Sequence, residues 1–122
     1  MILADSNIWI DHFRAANQEL LRLLASQDIV LHSCIVGELA LGPLRDRQRT
    51  LADFAFLPYL REARASEVMA MIENHKLYNR GIGWTDAHLL ASCLIVPGAL
   101  LWTRDVRLGA IAESFSLRAS LP

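Results

Sequence analysis

Cysteine is scarce in this chain of 122 residues, which contains only Cys34 and Cys93, each within an apolar stretch. A small secreted domain usually carries more cysteines, arranged as a disulfide framework. The cysteines and histidines also lack the spacing of zinc ligands. We therefore expect two reduced thiols in a cytoplasmic protein.

Long apolar runs are missing as well. The most apolar stretch, "LLASCLIVPGALLW", is interrupted by Pro97-Gly98 and is too short to span a bilayer. No charged segment followed by an apolar run marks a signal peptide. We expect a protein without a membrane partner. Its 53% hydrophobic content indicates an oligomer or a tightly bound partner, because extra apolar surface needs covering.

Neither sign of charge dominates, since 12 basic residues face 13 acidic ones. This balance excludes a broadly basic nucleic-acid coat but leaves room for a local basic groove. Lysine is nearly absent, and Lys76 is the only one among the basic residues. Arginine suits bidentate binding of phosphate or carboxylate, so phosphate ligands and an acidic partner both stay open.

Short apolar strands alternate with helical patterns along the chain, without repeats or linkers. Strands are predicted at "ILA", "DIVLH", "ALLWT" and "FSLRASL", whereas "FLPYL" is an edge strand or a loop because it contains Pro58. The expected helix N-caps are Ser6 or Asn7, Asn17, Ser33, Thr85 and Asp105. A further long helix, "ASEVMAMIENHKLYNRG", is expected to end before Gly81. The pattern predicts one α/β domain over residues 1–122, with a mostly parallel sheet.

Carboxylates follow two of these strands. Asp5 ends the first strand and Asp105 comes one residue after "ALLWT", so both project from the same edge of a parallel sheet. Asp86 lies at the start of a helix on its core-facing stripe. Glu38 lies inside "CIVGELAL", where an apolar face would bury it, and an unpaired buried carboxylate is costly.

Each acid alone has an ordinary structural explanation. Asp86 favours the helix dipole, Asp105 is an N-cap, Asp5 bonds to the following turn, and Glu38 reaches solvent or pairs with an arginine. Four carboxylates from four segments at one edge would nevertheless repel one another unless a cation held them together. Hard oxygen ligands suit Mg²⁺ or Mn²⁺, and such an ion activates water to attack phosphorus. The expected reaction is phosphodiester hydrolysis that leaves a 5′-phosphate and a 3′-hydroxyl.

The same residues lie in four stretches that resemble the successive motifs of PIN-domain proteins: "LADSNIWID", "SCIVGELALG", "RGIGWTDAHLLASC" and "LLWTRDVRLGAIAE". The resemblance covers almost the whole chain and is closest to the VapC toxins of bacterial toxin–antitoxin systems. It implies a three-layer α/β/α sandwich with a mostly parallel central sheet, and a Mg²⁺- or Mn²⁺-dependent endoribonuclease. It also implies a homodimer and a VapB antitoxin, which inhibits the toxin and joins it in repressing their operon, so that DNA is contacted only through the antitoxin.

Carried over by position, the resemblance makes an acidic quartet, with accessory polar residues beside it. Asp5 and Asp86 are the expected direct metal ligands. The full set of catalytic and metal-binding residues is Asp5, Glu38, Asp86 and Asp105, and the accessory positions are Asn7 and Thr103, which are otherwise a helix cap and a strand-end hydroxyl. Leu108, where the family often has an aromatic residue, and His88 and Leu89, where small residues are commoner, depart from the pattern.

Several arginines and aromatic residues are further candidates. The expected contacts to RNA phosphates are Arg80, Arg104 and Arg107, each of which has a neighbouring acid as an alternative partner. A second row, in which a solvated helix face is favoured over RNA contact, contains Arg45, Arg47 and Arg49. Trp84 is a candidate for base stacking, and core packing is favoured for Trp9 and Trp102. "FAFLPYL" lines either a groove for an antitoxin helix or the core.

Two other functions compete with the nuclease. A receiver domain also places carboxylates and Mg²⁺ at a strand edge. It needs an adjacent acidic pair after the first strand and a lysine after the last-but-one strand. Here Ser6 follows Asp5, and the only lysine, Lys76, lies inside a predicted helix. A non-catalytic PIN-fold module that binds RNA or protein is the second alternative, and four intact acids argue against it. The identity of the RNA, of the antitoxin and of the cleavage site, and the choice between one and two ions, stay open.

Overall fold

The computed structural model describes residues 1–122 as a parallel sheet of three strands packed among seven helices. The predicted α/β/α sandwich with a parallel sheet is confirmed. In chain order the elements are β1 (Ile2–Ala4), α1 (Ser6–Arg14), α2 (Gln18–Ala25), β2 (Ile29–Val30), α3 (Ser33–Leu41), α4 (Arg47–Phe54), α5 (Ala65–His75), α6 (Trp84–Ile95), β3 (Leu100–Trp102) and α7 (Val106–Ser114).

The sheet has the order β2-β1-β3, with β1 at its centre. Ile2 pairs with Ile29 on one side and with Leu100 on the other, and Ala4 pairs with Trp102. Because the strands are parallel and in this register, the residues that follow β1 and β3 emerge side by side at one edge. The strands are short apolar runs, as expected for a sheet that helices cover.

The expected strand "FSLRASL" and the segment "FLPYL", predicted as an edge strand or a loop, each form only a single bridge. Arg118 in "FSLRASL" pairs only with Leu101, and Tyr59 in "FLPYL" pairs only with Leu31. Pro58 has no N–H, which limits the ladder next to Tyr59, and Ser116 has a φ of 57°, which turns the chain just before Arg118. These segments therefore extend the sheet at its edges by one residue pair each.

The expected long helix ends earlier than predicted. α5 stops at His75, where Lys76 adopts a left-handed φ of 52° and the buried Leu77 donates its N–H to the Ile72 carbonyl at 3.0 Å. This is a helix C-cap closed by an apolar contact, formed here without glycine. The chain up to Gly81 is therefore a loop and not a helix, and this loop leads into α6.

Two expected helix caps are confirmed. The Asn17 side chain accepts a hydrogen bond from the Leu20 N–H at 3.1 Å, and the Asp105 side chain accepts one from the Leu108 N–H at 2.9 Å. Each satisfies a backbone donor that a helix N-terminus leaves unpaired.

Three expected caps are wrong by one or two residues. α1 is capped by Asp5, the residue before the expected Ser6 or Asn7, and α3 is capped by the imidazole of His32 in place of Ser33. A buried side chain that already lies at the strand end takes the cap in both cases.

The third displaced cap concerns α6, which begins at Trp84 after Gly83, so that Thr85 lies inside the first turn. Asp86 is then at the third helical position, where its carboxylate reaches back to the Gly83 N–H.

Neither cysteine forms a disulfide. Burial raises the pKa of both thiols, that of Cys93 to about 12. Both are therefore protonated near neutral pH. None of the seven helices combines the length and the apolar character that a membrane span needs.

A buried histidine joins α3 to α6. His32 has no exposed surface, and its Nδ1 accepts a hydrogen bond from the Cys34 N–H at 3.0 Å. Its Nε2 lies 3.1 Å from Ser92 Oγ, and that hydroxyl donates to the His88 carbonyl at 2.9 Å and accepts from the Ala63 N–H at 3.0 Å. Since Nδ1 must accept and the hydroxyl proton is already used, His32 is neutral, with its proton on Nε2.

Burial lowers the pKa of His32, against the opposing charge of Glu62, whose Oε1 lies 3.6 Å from Nδ1, while His88 lowers the pKa further. The neutral network fixes the start of α3 relative to α6. These two helices carry Glu38 and Asp86, so the network sets the frame of the candidate site.

This network makes stability depend on pH. The unfolded chain takes up a proton at His32 below about pH 6.5, whereas folding lowers the pKa of this imidazole, so the free energy of unfolding should fall as the pH drops from about 7.5 to 5.5. In His32→Asn the amide oxygen keeps the Cys34 bond but nothing titrates, so chemical denaturation should show lower stability at neutral pH and a smaller further loss on acidification.

Burial lowers the pKa of His12 too, so part of the acid effect should persist in His32→Asn. His75→Asn, which alters a surface histidine at the end of α5, is the matched control and should keep the wild-type decline. An identical decline in wild type and His32→Asn would show that the buried imidazole does not resist protonation.

Candidate active site at the sheet edge

Asp5 is the most constrained acid in the chain. It follows β1, caps α1, and is only 5% exposed. Its Oδ1 accepts from the Ser6 N–H at 2.7 Å, and its Oδ2 accepts from Thr103 Oγ1 at 2.8 Å and, more weakly, from Asn7 Nδ2 at 3.5 Å. The carboxylate is therefore held in one orientation by groups from both sides of the sheet edge.

Thr103 and Asn7 connect Asp5 to the end of β3. Thr103 Oγ1 also accepts from the Asp105 N–H at 3.1 Å and from Asn7 Nδ2 at 3.3 Å. Asn7 Oδ1 accepts from the Arg104 N–H at 3.3 Å. The two positions that the sequence marked as accessory thus share one hydrogen-bond network with Asp5.

Asp105 and Asp86 reach the same edge from two helix N-termini. Asp105 is exposed and uses Oδ1 to cap α7. Asp86 is half-buried, and its Oδ2 accepts from the Gly83 N–H at 3.4 Å. Both acids thus have a capping role and are also placed beside Asp5.

The acids affect one another electrostatically. Burial raises the pKa of Asp5, and the charges of Glu38 and Asp105 raise it further, against the hydrogen bonds of Thr103 and Ser6, which lower it. Burial also raises the pKa of Asp86, to which Asp5 and Asp105 add while the Gly83 N–H opposes them. A bound cation would relieve this repulsion.

Glu38 differs from the expectation of a buried carboxylate. The side of α3 that faces the core carries Ile35 and Leu39, whereas Glu38 lies on the solvent side next to Gly37. Leu41, which lies three residues after Glu38 at the end of "CIVGELAL", is 92% exposed. Glu38 therefore needs no partner to avoid desolvation, and it remains near enough to Asp5 to raise that residue's pKa.

Glu38 also borders an apolar groove of about 330 Å³ between α1 and the end of α3. Ile10, Phe13, Leu39 and Leu44 line this groove together with two arginines, Arg14 and Arg45. The groove therefore adjoins the acidic edge on the side of α3.

The donor set fits a hard divalent ion whose shell is completed by water. No three His, Cys, Asp or Glu side chains lie close enough together to ligate one ion directly. Mg²⁺ usually keeps several waters and takes only one or two carboxylates from the protein. The buried, oriented Asp5, with half-buried Asp86 nearby, meets that requirement with oxygen donors alone.

The three candidate phosphate-binding arginines are exposed, and they differ in what holds them. Arg104 forms an ion pair with Asp11. Arg107 packs over Gly81, where an added Cβ would lie 2.5 Å from Nη1, while Arg80 forms no ion pair. Sequence reasoning missed Asp11, although it lies four residues after Asn7 and so on the same face of α1.

The second arginine row is solvent-exposed. Arg45, Arg47 and Arg49 are all exposed, and only Arg47 makes a side-chain hydrogen bond, to the Gly42 carbonyl at 3.4 Å. Exposure is compatible with both predicted roles of this row, a solvated face and contact with RNA.

The tryptophans divide as predicted. Trp9 and Trp102 are buried, at 3% and 1% exposure, and Trp9 packs edge-on against Phe54 at 5.2 Å. Trp84 is 48% exposed. In "FAFLPYL", Phe54 belongs to the core, as one of the two predictions for this segment had it, while Phe56 is 88% exposed.

Comparison with known proteins identifies the family. The family model of the PIN domain matches residues 2–114. Two curated proteins named Ribonuclease VapC32, from Mycobacterium tuberculosis strains CDC 1551 / Oshkosh and ATCC 25618 / H37Rv, are each 42% identical to this chain over 115 residues. Each alignment covers 93% of this chain and 93% of the relative.

A solved structure shares the fold. The crystal structure of FitAcB from Neisseria gonorrhoeae superimposes with a TM-score of 0.65 over 93% of this chain and 94% of the matched chain. The sequence identity is 23%, so this likeness concerns the architecture alone.

The hydroxyl of Thr103 should matter more to folding than its methyl group. Thr103→Val keeps the volume but leaves Asp5 Oδ2 without its closest donor, which should cost about 1–3 kcal/mol in the free energy of unfolding. Thr103→Ser keeps the hydroxyl and should cost less. Urea denaturation of both variants without added metal measures the difference, and equal losses would mean that the Thr103–Asp5 bond does not stabilise the site.

Proposed function

The chain belongs to the PIN domain family as a VapC-type ribonuclease, and we propose that it is the toxin of a type II toxin–antitoxin pair that cleaves RNA with Mg²⁺ or Mn²⁺. The observation that carries this proposal is the buried carboxylate of Asp5, oriented by Ser6 and Thr103 at the edge where Asp86 and Asp105 also lie. A purely structural cap would need no further acids around it.

The acids and the polar residues beside them would have different roles, according to their positions. Asp5 and Asp86 would hold the ion, Asp105 and the exposed Glu38 would complete its surroundings, and Asn7 and Thr103 would keep Asp5 in place. When bound, the ion supplies an activated water and neutralises charge on the phosphate. Hydrolysis would join a water oxygen to phosphorus, break the bond to the 3′-oxygen and leave a proton on that oxygen, so that the products would be a 5′-phosphate and a 3′-hydroxyl.

Arginines next to the acids would hold the flanking phosphates. Arg80 and Arg107 are exposed beside the start of α6, and Arg104 is oriented by Asp11. Contacts of this kind position the RNA backbone without reading its sequence.

The partners we propose are a VapB-type antitoxin and a second copy of this chain, with DNA contacted only through the antitoxin and with the complex in the cytoplasm. Large apolar side chains on the surface support a covered state, since Leu41, Phe56 and Val106 are 92%, 88% and 83% exposed. A non-catalytic PIN-fold module that binds RNA or protein is the alternative, and it predicts no cleavage by any preparation.

Removal of single acids should abolish cleavage without unfolding the chain. Asp5→Asn and Asp86→Asn should each lower the rate of RNA cleavage about 100- to 1,000-fold, because the charge that stabilises the transition state is lost. The measurement is a time course on total RNA with mapping of the new 5′-ends, alongside circular dichroism to verify the fold.

Asp53→Asn is the matched control, since it removes the same charge from an exposed position on α4 and should leave the rate unchanged. Chelation should stop wild-type cleavage, and Mg²⁺ or Mn²⁺ should restore it. Wild-type cleavage that survives chelation would refute metal dependence, and folded Asp5→Asn protein that cuts at the wild-type rate would refute the acidic site.

A further inference from the structure

An aromatic pocket lies beside the acidic edge, at the start of α6. Its volume is about 170 Å³, smaller than the pockets that hold drug-sized ligands. Its walls include Tyr78, Asn79, Ile82, Gly83 and Trp84, and no lining side chain is charged. A pocket of this size and chemistry suits one flat, neutral ring system.

Both aromatic side chains of the pocket are open to solvent. Tyr78 is 53% exposed and Trp84 is 48% exposed, whereas the other two tryptophans are buried. Trp84 is not loose, because the ring of His88 packs edge-on against it with centroids 4.8 Å apart. An immobilised and exposed indole loses little conformational entropy when a second ring stacks on it.

The pocket and the acids share one structural unit. Gly83 lines the pocket, and its N–H donates to the carboxylate of Asp86 at 3.4 Å. The loop that precedes it carries Arg80, and Arg107 packs over Gly81 of the same loop. A group in the pocket would therefore lie next to an acid on one side and to cationic side chains on the other.

We propose that Tyr78 and Trp84 form a nucleobase pocket that holds one unpaired base of the RNA next to the phosphate that is cut. This inference rests on the proposed function, and it specifies that the site binds an RNA base as well as the backbone. Bases of single-stranded RNA stack on exposed aromatic rings, and cationic side chains alongside bind the backbone. Asn79 also lines the pocket, and its amide can both donate to and accept from polar atoms on a base edge.

The intrinsic fluorescence of tryptophan can report binding at the pocket. Because Trp9 and Trp102 are 3% and 1% exposed, a base that stacks on Trp84 should quench the accessible part of the tryptophan fluorescence. The experiment uses the full chain with Asp5→Asn, so that RNA is not consumed. The probes are hexauridylate and hexaadenylate, and the same backbones with abasic positions.

Trp84→Ala or Tyr78→Ala in this background should weaken binding of the labelled hexamers roughly 5- to 150-fold, as measured by fluorescence anisotropy. Trp84→Phe, which keeps a stacking ring, should keep most of the affinity. Leu21→Ala, which removes an exposed apolar side chain on α2 outside the pocket, should leave the affinity unchanged. The abasic hexamers should bind more weakly than the complete ones.

The proposed base-binding role of the pocket would be overturned if Trp84→Ala and its parent bound the hexamers with equal affinity, or if abasic and complete hexamers bound with equal affinity. A change in sedimentation of Trp84→Ala without a change in RNA affinity would assign Trp84 to a contact between copies and would also overturn it. Cleavage by the wild-type chain is scored separately. If RNA is cut but these variants bind normally, the pocket fails while the nuclease stands, and if nothing is cut but binding depends on Trp84, the nuclease fails while the pocket stands.

Discussion

The hydrogen bond between Thr103 and the buried carboxylate of Asp5 is the contact on which the site depends. It exists because Ala4 and Trp102 pair in a parallel register, so that the next residue of each strand emerges at the same edge. The carboxylate is thereby oriented, yet burial and neighbouring acids make its charge costly. A divalent ion bound at this carboxylate would offset the unfavourable charge while the geometry stayed fixed.

The helices around this contact act as supports for the other acids. α6 brings Asp86 to the edge, α7 is capped by Asp105, and α3 carries Glu38 beside the groove. His32 links α3 to α6 through Ser92. The site is thus assembled from short elements whose relative positions depend on a few hydrogen bonds between buried polar groups.

The position of two of the acids can be predicted from the sequence, because a short apolar strand followed by a carboxylate is a local pattern, and parallel strands bring such carboxylates to the same edge of the sheet. Asp5 and Asp105 were placed by that rule alone. The prediction that Glu38 is buried is wrong, because nearly every residue around it in α3 is apolar and the 3.6-residue period therefore does not indicate which side of the helix faces the core. α5 ends at His75 because Lys76 adopts a left-handed φ, which lysine rarely does, and α3 is capped by the imidazole of His32, which is not one of the usual capping side chains.

The central claim is that a divalent ion binds at the carboxylate of Asp5. Crystals of the wild-type chain soaked with Mn²⁺ and measured for anomalous scattering test it most directly. The account predicts an anomalous peak at coordination distance from Asp5, with Asp86 in or next to its shell, and no such peak in Asp5→Asn crystals. A peak remote from Asp5, or none at saturating Mn²⁺, would contradict it.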